Sequence, residues 1–370
     1  MLPLTIPGLH ISQEPSCLQI SDYFIMTASK DLPPDTTPYY YLKIFLKSQL
    51  CTKAQLPPKN TTLIDKVAIV TGANTGLGLE SSRQLLSYNL SLLIIAVRSV
   101  AKGEIAAATL RKEYPIATIE VWNLDMSSYD SIRAFVRRTE TQLSRLDIVI
   151  LNAGLQNMQF GVVPSTGHEE TIQVNYLSTV LLSILLLPVL KNKSTVGTPG
   201  RLSIVSSGTA LFARFPHRKF SLLLPSYDDP KNFDLIEQYS ASKLLGHMFM
   251  WKLADYVSAD DVVVNLVDPG FTKGTQLQRD VSGVVSLAMS LAKVITARTV
   301  RDGASTYVDA TVVKGKESHG CFVMDWQIRP FATVLYTPEG KQIIERLWDE
   351  TVVELKFADV QGILRSMNRK

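Results

Sequence analysis

Tyr239 and Lys243 stand four residues apart in Tyr239-Ser-Ala-Ser-Lys243, a spacing that places both side chains on one face of a helix. A free phenol has a pKa of about 10, too high for a good base near neutrality, and a neighbouring ammonium favours the phenolate and lowers that value. Upstream, Arg201-Leu-Ser-Ile-Val-Ser206-Ser207-Gly208 reads as a strand ending in paired hydroxyls. Ser207 could donate a hydrogen bond to a substrate oxygen while Tyr239 gives or takes the proton. The spacing also occurs as an exposed surface pair, so it does not decide the chemistry alone. Asn175 heads an otherwise apolar helical stretch. A buried amide needs partners, which makes it either a structural bridge or part of a proton-relay water site.

A proton carrier of this kind needs something beside it, and the best-defined stretch of the chain is Lys66-Val-Ala-Ile-Val-Thr-Gly-Ala-Asn-Thr-Gly-Leu-Gly78. A β-branched run ends at Gly72 and passes through Gly76 and Gly78 into a helical segment from Leu79 to Leu86. Gly72 permits a tight turn, Gly76 lets the backbone approach a pyrophosphate, and Gly78 lets helix and strand pack closely. The helix N-terminus then holds the phosphates. Twenty residues beyond Gly78, where a carboxylate would bind a ribose 2′-hydroxyl, the chain has Arg98, with Ser99 and Lys102 nearby. These residues suit a 2′-phosphate, hence NADP; an exposed surface arginine is the competing reading. Asp125 either bonds an adenine edge or caps a helix starting near Ser127. Asn152-Ala153-Gly154 either leaves room for a cofactor or forms a plain strand-ending turn.

The positioning elements follow from periodicity. Apolar runs at Val67–Val70, Leu92–Val97, Ile119–Trp122, Asp147–Leu151, Leu202–Val205, Val262–Val267 and Cys321–Met324 alternate with helical segments. That pattern predicts an α/β fold, a doubly wound parallel sheet of Rossmann type. The apolar stretch Tyr176–Leu190 is interrupted by Pro188 and falls short of the roughly 20 residues of a membrane span, so a buried helix is expected. With 370 residues and 46% hydrophobic content, one large core with extensions is predicted. The net charge of +4 is spread without basic clusters, which argues against nucleic acid. Three distant cysteines and five scattered histidines have no ligand spacing; no metal site is expected, and the compartment is reducing. Residues 1–36 read as a poorly ordered extension without a secretory signal, consistent with a cytoplasmic protein. Residues 37–61 hold an amphipathic helix, Tyr39–Leu50, and a linker at Pro57-Pro58. In that helix Lys43 and Lys47 share one face and Leu42, Phe45, Leu46 and Leu50 another. It either packs on the domain, or serves as a peripheral membrane-surface or substrate-mouth element. Residues 62–325 form the catalytic domain and 326–370 a helical extension.

Taken together, Thr71-Gly72-x-x-x-Gly76-x-Gly78, Asn152-Ala153-Gly154, Asn175, Ser207, Tyr239-x-x-x-Lys243 and Pro269-Gly270 resemble the short-chain dehydrogenase/reductases over Thr62–Asp325. The Arg98–Glu104 run and the wide gap between Ser207 and Tyr239 are most similar to the retinol-dehydrogenase-like branch. The ending Pro338–Trp348 is similar to reductases of that branch from fungal secondary metabolism. The resemblance implies Tyr239 as general acid/base, with Lys243 tuning it and binding the nicotinamide ribose. It makes Ser207 the group that polarises the carbonyl, Ser206 being its neighbour, and gives Asn175 a relay water. Asn74, Thr75 and Leu77 of the glycine turn join Asp125, Asn152, Ala153 and Gly154 as cofactor contacts. So do Pro269 and Gly270. The family usually has a hydroxyl residue four positions beyond that glycine, where this chain has Gly274, so Thr272 or Thr275 takes the nicotinamide amide. A homodimer is a common arrangement in the family.

Substrate walls are expected from Leu211–Gln238, with Phe212, Phe215, Phe220, Leu222–Leu224 and Tyr227, and from Phe271–Val294. Such walls favour a lipophilic ketone or secondary alcohol; ordinary packing segments would read similarly. The leading expectation is an NADP(H)-dependent oxidoreductase, the alternative a non-catalytic dinucleotide-binding sensor or scaffold.

Overall fold

The computed structural model describes residues 28–34, 40–273 and 297–368. The expected walls from residues 274 to 294, Thr275, and most of the first 36 residues lie outside that range.

Eight strands form one sheet in the order β3-β2-β1-β4-β5-β6-β7-β8. They are β1 (Val67–Thr71), β2 (Leu92–Val97), β3 (Thr118–Asn123), β4 (Ile148–Leu151), β5 (Gly200–Val205), β6 (Val262–Asp268), β7 (Cys321–Met324) and β8 (Gln327–Arg329). All neighbours run parallel except the terminal β7–β8 pair. Chain order reverses between β1 and β4, which pair through Ile69↔Val149. The crevice at the carboxyl ends of these two strands is where ligands of such sheets bind.

A parallel sheet must be covered on both faces, and alternation along β1 serves both. Ile69 joins one core while Ala68 and Val70 join the other. The second core is covered by α2 (Gly76–Ser87), α3 (Val100–Glu113) and α7 (Val300–Val308), through Leu85, Leu110 and Tyr307. The first lies under α4 (Tyr129–Gln142), α5 (Glu170–Lys193), α6 (Leu235–Leu253), α8 (Pro338–Glu354) and α9 (Val360–Met367). Helix α5 is long and apolar enough to cross a bilayer, yet 89% of its apolar window is buried. Leu181, Leu182, Leu186 and Leu187 are fully buried there, and each such side chain contributes about 1.5–3 kcal/mol.

The structure departs from the sequence reading at the ends. The boundary expected at residue 325 falls inside a hairpin: Asp325 and Trp326 both adopt φ +57° and turn β7 back into β8. Tryptophan carries no sequence signal for a left-handed turn, so the eighth strand was not foreseen. Helices α8 and α9 are not an appendage, because Ile343, Ile344, Leu347 and Leu364 belong to the main core. Part of the N-terminal extension is also seated. Ser29 is buried and its hydroxyl accepts the Phe322 N–H of β7 at 2.8 Å. Helix α1 (Tyr40–Leu46), prolonged by a π-helical turn Lys47–Cys51, buries Ile44 and Ser48. The apolar stripe divides: Phe45 is half-buried and packs against Phe271, whereas Leu42, Leu46 and Leu50 are exposed.

Candidate active site

A cavity of about 970 Å³ opens at the switch point. Its floor is the turn between β1 and α2. Gly72 holds φ +66°, a backbone region open to glycine at little cost. A Cβ on Gly78 would lie 2.5 Å from Asn152 Nδ2 and 2.8 Å from the Gly72 carbonyl, whereas one on Gly76 would meet nothing within 4 Å. Gly78 is therefore required by packing and Gly76 faces open space. Asn74, Thr75, Gly76 and Leu77 line the cavity around the start of α2, whose first N–H groups have no helical acceptor.

Arg98, Ser99 and Lys102 line the same cavity beyond β2. Ser99 caps α3 by accepting the Lys102 N–H, and Arg98 is exposed. Among the described residues neither Arg98 nor Lys102 is engaged by a carboxylate. Asp125 lines the cavity while its Oδ1 accepts the Ser127 N–H at 2.9 Å. The cap of α4 is Ser128 rather than Asp125.

Asn152 turns inward. Its amide donates to the Thr71 carbonyl at 2.9 Å and accepts from the Tyr307 hydroxyl at 3.3 Å. It fastens the glycine turn to β4 and α7, and the adjacent Ala153 N–H donates to Thr71 Oγ1. Gly154 is pressed against Asn175 and Lys243: a Cβ there would sit 3.1 Å from Asn175 Oδ1 and 3.7 Å from Lys243 Nζ. Asn175, in the π-helical turn of α5, accepts the Leu155 N–H and donates to the Leu155 carbonyl and Ser242 Oγ. Both of its N–H groups are spent on protein, which is the bridge among the two readings of this residue.

Asp234 caps α6, so the helix begins one turn before Tyr239. Tyr239 and Ser207 both face the cavity. Ser206 is committed elsewhere, its hydroxyl lying 3.1 Å from Nε2 of buried His247. Lys243 Nζ donates to the Val205 carbonyl at 2.9 Å and lies 5.8 Å from the centre of the Tyr239 ring. The expected acidification of the phenol does not follow from this arrangement. Burial pushes Tyr239 up to about 12, with the Ser207 hydroxyl opposing and the Asp268 carboxylate reinforcing the rise. Lys243 is brought down to about 8 by burial, with Asp268 opposing.

Asp268 was missed in the sequence. It is buried at the end of β6; Oδ1 accepts the Gly208 N–H at 3.0 Å and Oδ2 has no hydrogen-bond partner. A carboxylate closing the apolar run Val262–Val267 was the available signal. Tyr307 carried none, because its approach depends on packing, whereas the amphipathic pattern of Tyr39–Leu50 already offered a substrate-mouth element. Pro269, Gly270 and Thr272 border the cavity, Gly270 with φ +73° and Thr272 donating to the Gly270 carbonyl at 3.1 Å.

The predicted substrate loop is corrected. Of its aromatic and aliphatic side chains Phe212 and Ile236 reach the cavity, whereas Phe215, Leu223, Leu224 and Tyr227 are core residues and Phe220 and Leu222 face solvent. The reason lies in α8: Glu350 accepts the N–H groups of Leu223 and Leu224 at 2.8–2.9 Å and draws that segment onto the core.

A glycine turn at the switch point of a doubly wound sheet, with serine, tyrosine and lysine gathered at the same crevice, defines a dinucleotide-type oxidoreductase. The chain belongs to the short-chain dehydrogenase/reductase family, whose members act on small molecules. The short chain dehydrogenase profile matches residues 66–218. The chain is 61% identical over 342 residues to the short chain dehydrogenase/reductase mfmJ of Annulohypoxylon moriforme, covering 92% of this chain and 99% of that one. It is 46% identical over 318 residues to the short chain dehydrogenase virL of Hypocrea virens, covering 86% and 93%. Among solved structures, the Pseudomonas aeruginosa RhlG/NADP active-site complex shares the fold, with a TM-score of 0.54 at 20% identity, over 75% of this chain and 98% of that one.

Proposed function

We propose that this protein is an NADP(H)-dependent ketoreductase or alcohol dehydrogenase for a lipophilic ketone or secondary alcohol, serving secondary-metabolite biosynthesis. The observation that carries it is the gathering of Ser207, Tyr239 and Lys243 in one cavity with the glycine turn. The residues fit the dinucleotide: open space above Gly76 leaves room for a pyrophosphate, and Arg98 and Lys102 offer charge to a 2′-phosphate. The NADP complex of the structural relative supports the same cofactor. The fungal relatives, and the resemblance of Pro338–Trp348, support the metabolic setting.

When bound, the nicotinamide supplies or accepts the hydride. The chain's own residues do the rest. Ser207 polarises the carbonyl oxygen and Tyr239 delivers its proton there. A phenol held near 12 keeps that proton at neutral pH, which suits the reductive direction. Lys243 contributes positive charge beside the phenol and would hold the nicotinamide ribose, while Asn175 braces Leu155 and Ser242. Apolar walls from Phe212, Phe45 and Phe271 exclude water and accept the substrate body. The test is titration with NADPH and NADH, followed by absorbance loss on apolar ketones with wild type and Tyr239→Phe. NADPH binding without turnover, and no effect of the substitution, would return the protein to a dinucleotide sensor.

The exposed ridge of Leu42, Leu46 and Leu50 with Lys43 and Lys47 alongside favours a second reading, a peripheral contact with a membrane surface. Co-sedimentation with anionic lipid vesicles that survives changing all three leucines to serine would refute it.

A further inference from the structure

The matched family profile begins at residue 66, yet α1, far outside it, lies across the catalytic cleft. Tyr41 packs edge-on against Phe212 with ring centres 5.0 Å apart. Phe212 closes the 3₁₀ turn that starts just after Ser207. One turn further along α1, Phe45 meets Phe271 at 6.1 Å, and Phe271 follows the Pro269–Gly270 turn. The helix thus spans from the segment carrying the serine to the segment on the opposite bank. Ile44, Phe45, Ser48 and Gln49 all line the cavity.

The seat of α1 is built from buried charge. Ser48 Oγ donates to Asp325 Oδ1 at 2.7 Å. The Arg298 guanidinium, 7% exposed, donates to the Ser48 carbonyl at 2.9 Å and to Ser48 Oγ at 3.2 Å, and pairs with Asp325. It also donates to the Pro269 carbonyl at 3.3 Å and lies 4.9 Å from the Trp326 ring centre. An ion pair this deep is costly to desolvate and gives a stiff, directional joint once its hydrogen bonds are made. The β7–β8 turn, the Pro269–Gly270 turn and α1 are locked together at that joint. Phe45 and Gln49 are therefore presented to the cavity from a fixed platform.

We propose that Phe45 is a specificity-determining residue which, with Phe212 and Phe271, selects carbonyl compounds whose body is a flat aromatic ring system, and that Ser48 positions it. Rings facing one cavity from two banks favour a planar π-surface over a flexible chain, because stacked or edge-on contacts add about 0.5–1.5 kcal/mol beyond area burial. This rests on the proposed ketoreductase activity and adds to it the substrate class and the wall that reads it.

The test compares the full-length wild type with Phe45→Ala, Phe45→Leu and Ser48→Ala, using NADPH and two probes, 2-acetylnaphthalene and 2-nonanone. The expected result for both Phe45 variants is a roughly tenfold fall in kcat/KM for the aryl ketone, carried by KM. The alkyl ketone changes by less than about threefold and the NADPH Kd stays within about twofold. Ser48→Ala moves in the same direction by a smaller factor and leaves the NADPH Kd within about twofold. Quenching of 2-acetylnaphthalene fluorescence by the NADP+-loaded protein, which has no hydride to give, yields the same ranking without turnover. Equal losses on both ketones, no loss on either, or no binding of the aryl probe to NADP+-loaded wild type would overturn the proposal. Failure to bind NADPH, or full activity in Tyr239→Phe, would instead strike the activity on which it rests.

Discussion

Lys243 Nζ is held by the Val205 carbonyl at 2.9 Å and stands 5.8 Å from the centre of the Tyr239 ring. The ammonium is thus tethered to the strand that ends in the serine pair, not to the phenol. The tether fixes a compact point charge at the cavity wall, which the longer, planar guanidinium of arginine does not reproduce. Lys243→Arg should accordingly lose activity nearly as fully as Lys243→Met, by about a hundredfold or more in kcat/KM. A steady-state comparison in which Lys243→Arg keeps most of the wild-type rate would contradict the tether.

The pH dependence of the reductive rate should come from Lys243. Tyr239, pushed up to about 12, stays protonated through the working range, while Lys243, brought down to about 8, loses its charge as pH rises past that value. A falling alkaline limb near pH 8 is expected. The Asp268 carboxylate raises Lys243, so Asp268→Asn should move the limb to lower pH. A limb that moved upward in a kcat/KM profile from pH 6 to 10 would remove Lys243 from this role.

Cofactor preference should sit on Arg98. Charge-assisted hydrogen bonds contribute about 1.5–3 kcal/mol, so Arg98→Ala should weaken NADPH roughly ten- to a hundredfold. NADH, lacking the 2′-phosphate, should change little. Fluorescence titrations in which both dinucleotides weaken equally would show that Arg98 does not read that phosphate.

Gly78 should tolerate no side chain. Its missing Cβ would press on Asn152 Nδ2, the Gly72 carbonyl and the Ala73 Cα, at 2.5, 2.8 and 3.1 Å. Gly78→Ala should cost about 1–3 kcal/mol and weaken NADPH binding, because the displaced Asn152 is the brace of the turn. Thermal unfolding and NADPH titration that match wild type would refute the packing account.

A pH-linked brace joins the end of α8 to the loop before α6. His168 Nδ1 lies 3.0 Å from Asp228 and Nε2 lies 3.3 Å from Glu354. Burial works to lower this histidine, but hydrogen bonds to both carboxylates and their charges outweigh it and lift it to about 9. A folded value above the unfolded one means that the stabilisation, roughly 3 kcal/mol, is complete below about pH 6.5 and disappears as pH rises through 9. His168→Gln should lower the unfolding temperature by several degrees at pH 6 and leave it nearly unchanged at pH 10. A gap that persisted at pH 10 would mean the loss is one of packing.

The strands and the glycine turn were legible because their signals are local. Leu92–Val97 and Cys321–Met324 were placed to the residue, since a parallel strand buried on both faces must be an unbroken apolar run. Gly72, Gly76 and Gly78 were legible because a tight turn into a helix restricts residue type at fixed spacing. Tyr239 and Lys243 followed from helical geometry, and Ser207 from its place at a strand end. The sequence by itself therefore determined the seven parallel strands, the class of protein and the side chains available for chemistry.

Packing between distant segments decided the rest. The choice of Ser207 over Ser206 depends on His247 lying behind the strand. The inward turn of Asn152 depends on Tyr307, 155 positions later. Glu350 pulls Leu223 and Leu224 into the core and so removes an expected substrate wall, while Arg298 and Asp325 bring α1 in to supply another. The raised pKa of Tyr239 likewise comes from burial, which spacing along a helix does not encode. Local conformation is written in neighbouring residues, whereas desolvation and the identity of a buried partner arise only when remote parts of the chain exclude water together.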